Sequence, residues 1–263
     1  MYPDWPETAA DMVPLPLCDG PKLAPFDFYG PQNIEFLEYL GEGSHAHVVK
    51  VKIHAREYAL KLYRFVDDFD WYGPGDREIN NTREQLELLA QYSEPFYNEC
   101  RAFGRLQESG HTDLAISCYG YLLLDEDHER TLIERFKLNF NGNKDLVGWY
   151  DDQRPHFLGK RTRKRPPIRG ILKALGKPSP VENCPNLTVP QAKRILRDTI
   201  KLQQLGIFSL DMRRDQLVNN KFCDFGGAIT TPHFLTNPEL NPHLSSNDKS
   251  HMLRETFLLL EML

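Results

Sequence analysis

From Phe36 to Phe65, apolar and polar residues alternate through FLEYLGEG and then HVVKVKIHAREYALKLYRF, enriched in β-branched side chains and broken near His54–Glu57. Period-two patterning with a turn between runs has one economical solution, successive antiparallel strands that bury one face, so this stretch predicts three of them. Upstream, Pro3, Pro6, Pro14, Pro16, Pro21, Pro25 and Pro31 crowd residues 1–32. Proline fixes φ and removes a donor, which excludes helix and central strand and leaves an extended segment wrapped over the domain.

The remaining elements follow from the same rules. Residues 64–92 hold an acidic stretch broken by Gly and Pro, then a short helix, TREQLELLAQY, with Thr82 in the capping position. Ser93 is placed to cap a second helix with Pro95 in its first turn and Phe96, Cys100 and Phe103 at helical spacing. LAISCYGYLLLDE and TLIERFKLNF flank DEDHER and read as strand, turn and strand, with IRGILKAL as a further strand. A helix from Pro190 to Gln204 shows Ala192, Ile195, Leu196 and Ile200 on one face and stops at Gly206. Two short strands, LV and KFC, then meet at Asn219-Asn220, a pair that tolerates positive φ. The final DKSHMLRETFLLLEML reads as a helix too apolar for water, so it is buried or the chain is cut short there.

Composition excludes several classes. A net charge of -5 argues against a protein that coats nucleic acid generally. No apolar run reaches the roughly 18–20 residues of a bilayer crossing. Cys18, Cys100, Cys118, Cys184 and Cys223 are widely spaced, odd in number and lack zinc-like pairing, which suits reduced thiols in an intracellular protein. The run Lys160-Arg161-Thr162-Arg163-Lys164-Arg165 is the exception to the acidic balance. It suits nuclear import or a phosphate-rich partner, and equally a solvated loop.

Chemistry concentrates at five places. In Gly41-Glu42-Gly43-Ser44-His45-Ala46-His47-Val48, small residues let backbone N–H groups approach phosphate oxygens. Lys61, in YALK on the third strand, can reach nucleotide phosphates, and Glu99 on the following helix can pair with it. Asp211 and Asp224 each stand in a loop, Asp224 within Asp-Phe-Gly, and supply one base-like carboxylate and one hard oxygen ligand. Each feature alone has an ordinary reading: a glycine hairpin, a solvated strand lysine, a helix glutamate. His45 and His47 lack further ligands for a metal, and no Gly-x-Ser-x-Gly hydrolase motif is present.

In this order, over about residues 35–263, the motifs resemble the protein-kinase-like fold. The resemblance implies an α+β bilobal architecture. It consists of a Pro-rich extension at 1–32, a mainly antiparallel β N-lobe with one key helix at 33–175, and a shortened, mainly helical C-lobe at 176–263. Insertions fall at about 65–92 and 140–167. It implies ATP and Mg²⁺ as cofactors, with Gly41, Gly43, Ala46, Val48 and Lys61 on the nucleotide, Glu99 holding Lys61, Asp211 as base, and Asp224 and Gln216 on the metal. Three departures stand out: Ala46 for the third glycine, Ser209-Leu210 before Asp211, and Gln216, whose amide oxygen sits one methylene further out than asparagine's. The leading implied function is transfer of the ATP γ-phosphate to a hydroxyl; the departures motivate the alternative, a catalytically weak or inactive scaffold with protein partners. The connector between lobes is either the ERF segment near 134–136 or, favoured by chain order, KAL near 173–175. More narrowly, EGSHAHVVKVKI, NECRAFGRL, IRGILKAL and DFGGAITTPHF resemble kinase-like proteins of filamentous fungi grouped with an inner-kinetochore (Sim-complex) subunit family. That resemblance implies membership only.

Overall fold

The computed structural model describes residues 4–67, 71, 83–142, 153–159, 165–176, 188–210, 216–233, 236, 237, 239, 246 and 247. Its centre is a five-stranded sheet of β1 (Glu35–Glu42), β2 (Ala46–Ile53), β3 (Arg56–Tyr63), β4 (Cys118–Leu124) and β5 (Ile168–Ala174), in the order β1-β2-β3-β5-β4. Every neighbouring pair is antiparallel. β2 and β3 meet at His54-Ala55, both at positive φ, so the turn occupies two residues and Ile53 pairs with Arg56. That geometry matches the right-handed twist of the strands.

Register decides what each face carries. Opposite Tyr63, Lys61 and Ala59 of β3 stand Arg169, Ile171 and Lys173 of β5, while Leu62 and Leu60 face Gly170 and Leu172. One face is therefore aliphatic, and the other carries three cations. α2 (Pro95–Glu108) covers the charged face, and every residue from Pro95 through Gly104 is buried. A helix buried all round needs cover on both sides. The sheet supplies one side; a strap formed by the N-terminal residues supplies part of the other.

In that strap Leu15 and Leu23 exchange backbone hydrogen bonds of 3.0 and 2.8 Å, and both side chains are buried. Further on, Phe26 N–H donates to Tyr121 O at 2.7 Å and Tyr121 N–H to Ala24 O at 3.1 Å, so the strap runs along β4 and covers part of its open edge. Gly104 is where strap and α2 touch: a Cβ there would lie 2.5 Å from Lys22 O. Arg101 ties the layers, donating to Asp19 O at 2.8 Å, Thr230 O at 3.1 Å and Pro232 O.

α1 (Arg83–Ser93) runs almost directly into α2. Ser93 ends the first helix, and Glu94 caps the second through Tyr97 N–H, a correction to the expected cap. Of the stretches expected as insertions, Phe65, Val66, Trp71, Phe140 and Phe157 are buried in the core. Thr82 and most of residues 68–82 lie outside the described residues.

Residues read as the strand TLIERFKLNF begin instead within α3 (Glu126–Phe136). Asp125 accepts from Asp127 N–H at 3.1 Å and His128 N–H at 2.9 Å, so the presumed turn is an N-cap followed by acidic residues that complement the helix dipole. α4 (Val189–Gln204) forms as expected and ends at Gly206, φ +77°. Its buried face is Ile195, Asp198, Thr199 and Leu202, whereas Leu196 and Ile200 are exposed, which corrects the expected stripe. α4 lies against β6 (Ile207–Ser209), which pairs with β9 (Ala228–Thr230). β7 (Leu217–Val218) and β8 (Lys221–Phe222) form the expected hairpin, with Asn219 and Asn220 at positive φ. The apolar segment after Asp248 lies outside the described residues, and no described helix is long and apolar enough to cross a membrane.

Two predictions follow from the strap and its neighbours. Gly104→Ala should cost about 1–3 kcal/mol and expose residues 4–32 to protease while the sheet core resists, measured by limited proteolysis and urea unfolding. His233, fully buried and donating through Nε2 to Tyr92 O, is pushed down to about 3 by burial and then by Arg101. Its ordinary value is 6.5, so the native ring stays neutral while the unfolded chain takes up the proton. This contribution is complete above pH 6.5 and is lost as pH falls toward 3, at up to about 1.4 kcal/mol per pH unit. His233→Gln, which keeps an N–H donor, should flatten that part of a stability-versus-pH curve.

Candidate functional site

Lys61 and Tyr63 point from β3 to the α2 side of the sheet, and Glu99 lies one turn into α2, fully buried. Lys61 Nζ donates to Glu99 Oε2 at 2.8 Å and to Asp224 Oδ1 at 2.7 Å. The Tyr63 hydroxyl donates to Glu99 Oε2, and Lys173 Nζ donates to Glu99 Oε1. One carboxylate is thus shared by two ammonium groups and a phenol, which satisfies a charge that could not otherwise be buried. A second ion pair stands beside it: Arg169 Nη1 lies 2.8 Å from Glu94 Oε1, both fully buried.

Motif spacing does not single out Lys173. Its signal lay in IRGILKAL, where cations at Arg169 and Lys173 interrupt an apolar strand with the alternation of one face, opposite a helix whose glutamates are five residues apart. Lys173 also donates to Cys223 O at 2.7 Å, which fastens β5 to the residue before Asp224. Asp224 Oδ1 receives Gly226 N–H at 2.8 Å, and Asn98 of α2 donates to Gly226 O at 3.0 Å. The Asp-Phe-Gly segment is thereby held by α2, β3 and β5 together, and Phe225 packs edge-on against Phe103 at 5.3 Å.

Burial by itself would raise the Asp224 carboxyl, but Lys61, then Lys173 and Gly226 N–H, outweigh it and hold the group well below the usual carboxylate range. Burial would likewise lower Lys61; Asp224 and Glu99 outweigh it and raise the ammonium above its ordinary value. All the groups of the cluster that carry these shifts are charged at neutral pH. The Cys223 thiol is pushed up to about 12, chiefly by burial, so it is not a thiolate nucleophile.

Above the cluster opens a cavity of about 360 Å³, within the range of small-molecule sites. Gly41, Gly43, Ala46 and Val48 line one side, Lys61, Lys173 and Asp224 another, and Ala174, Leu175 and Gly176 a third. Gly43 N–H closes the turn on Ala46 O at 2.9 Å. A Cβ on Gly41 or Gly43 would meet no protein atom within 4 Å, so protein packing does not explain these glycines. Gly41 needs its φ of +143°; Gly43 lines the cavity without a side chain, so the turn lets a ligand approach the backbone closely. The walls therefore fit a nucleotide. Of the two connector candidates, Lys173, Ala174 and Leu175 line the cavity, whereas Arg135 of the other segment reaches β1, donating to Leu37 O at 3.1 Å.

The donors fit a magnesium ion poorly. Mg²⁺ is usually held by one or two carboxylates plus substrate phosphates. Asp224 Oδ1 is engaged by an ammonium at 2.7 Å and an N–H at 2.8 Å, and Glu42, the other carboxylate lining the cavity among the described residues, is paired with Arg64. Gln216 also lines the cavity and is largely buried. Among the described residues, no three His, Cys, Asp or Glu side chains form a metal cluster. Asp211 lies outside the described residues, as do positions 160–164 of the basic run; Arg165 is 3.3 Å from Glu129.

Glu99→Gln should cost about 3–5 kcal/mol in urea unfolding, because it leaves two buried ammonium groups against one carboxylate. Combining it with Lys173→Met should recover a substantial part of that loss, since the count of opposite charges is again even. Additive losses would show that the two side chains do not act through each other.

Residues 11–229 match the model of a protein family described as Kinetochore Sim4 complex subunit FTA2. No curated protein matches the chain.

Proposed function

The chain belongs to the kinetochore Sim4 complex subunit FTA2 family, and from that premise we propose that it is a nuclear protein-interaction subunit of a kinetochore assembly. On this reading its kinase-like cleft shapes the domain and holds a nucleotide without turning it over. The observation that carries the reading is the four-charge cluster of Lys61, Lys173, Glu99 and Asp224, which is internally neutral and joined by hydrogen bonds within the protein before any ligand arrives. A carboxylate engaged in that way supports a structural part better than a metal-dependent one. Ser209-Leu210 and Gln216 support the same reading from the sequence.

A second reading is supported by the meeting of Lys61, Glu99 and Asp224 beside the glycine turn. A phosphotransferase needs this ion pair and this aspartate together. In that case Lys61 would hold the ATP phosphates, Asp224 with Gln216 would take Mg²⁺, and Asp211 would accept the proton of the acceptor hydroxyl. Asp224 would then have to release Lys61.

Phosphate transfer separates the two. The purified chain with Mg·ATP should release or transfer no γ-phosphate above a Lys61→Met control, and Gln216→Asn should gain nothing. Turnover that Lys61→Met abolishes would establish the enzyme instead. The tagged chain should concentrate at centromeric foci in its own cells, with Asp224→Asn as well localised as the parent; a diffuse signal would overturn the kinetochore assignment.

A further inference from the structure

Lys173 stands where the nucleotide reading assigns no residue. An ammonium has three N–H donors. Lys61 directs two of its three to Glu99 and Asp224, and Lys173 directs two to Glu99 and Cys223 O. Among the described residues each retains one donor, and both side chains line the cavity. The residues named by the nucleotide reading, Lys61 with Glu99 and Asp224, sum to one negative charge, which repels a polyphosphate unless a dication is added. Lys173 brings that sum to zero and does so from β5, where it is the cross-strand partner of Ala59, a residue that also lines the cavity.

We propose that Lys173 takes the place of a divalent cation, so that the cavity binds the phosphate chain of a nucleoside di- or triphosphate without metal. The inference rests on the reading of the cleft as a nucleotide site. Two donors on two adjacent strands grip phosphate oxygens beneath the Gly43 backbone, and Glu99 holds both donors at fixed spacing. Asp224 stays bound to Lys61, in keeping with the poor fit of its carboxylate to Mg²⁺. Charge-assisted hydrogen bonds of this type are shorter and stronger than neutral ones, which suits Lys173 to the task.

The test uses the whole chain and its thermal midpoint at millimolar ATP, once in EDTA and once in excess magnesium. An upward shift in EDTA at least as large as that in magnesium is the expected result. A shift seen only with magnesium overturns the metal-free proposal and leaves the nucleotide site standing; no shift in either buffer overturns both. Lys173→Met is then compared by equilibrium dialysis of ATP in EDTA, at a temperature well below its own midpoint so that lost stability does not enter. The dissociation constant should rise roughly tenfold to a hundredfold. An unchanged constant removes Lys173 from the site.

Discussion

Glu99 is the point on which the rest of the molecule is hung. A fully buried carboxylate is tolerated only with its charge answered and its lone pairs filled, and three donors from two strands do this at once. Pairs of this kind contribute little net stability, because desolvation consumes most of the attraction. Their effect is positional: any slide of α2 along the sheet strips a buried charge of its partners, at a cost far larger than that of shifting an apolar contact. Glu94 with Arg169 repeats the device at the start of the same helix, so α2 is fixed at two places along its length.

The rest of the structure supports that helix. Its outer side is covered by the N-terminal strap, and the close approach of Lys22 to Gly104 leaves no room for even a methyl group. Arg101 and Arg105 reach from it to carbonyls around Thr230, Thr231 and Pro232, so the segment after Asp-Phe-Gly is positioned by the helix that carries Glu99. Asp224, Glu99 and the glycine turn consequently meet at one cavity although they are far apart in the chain. The cavity is a product of the way one helix is held.

Much of this could be read in advance. The alternation in β1 to β3, the Asn219-Asn220 hairpin and the stop of α4 at Gly206 are local effects of side-chain period and backbone preference, and they appear where expected. Lys61, Glu99 and Asp224 were legible as members of an ordered set of motifs. α3 reads as a strand because its few apolar residues suit either period, and the decisive signal is Asp125 as a cap, not a turn. For α4 the helix was legible but its inner face was not: Asp198 and Thr199 turn inward while Leu196 and Ile200 stay outside. Lys173 is not legible in this way, because a cation in a strand is by default a solvated one.

The chain's own sequence determined its elements, the φ-tolerant residues at its turns and the residue types available for chemistry, since these depend on neighbours within a few positions. Only the tertiary structure decided that β5 lies beside β3, that its cations face α2 instead of water, and that one glutamate serves two lysines. Those outcomes depend on strand order and register, which set the partners of a buried charge and are not written within any single segment.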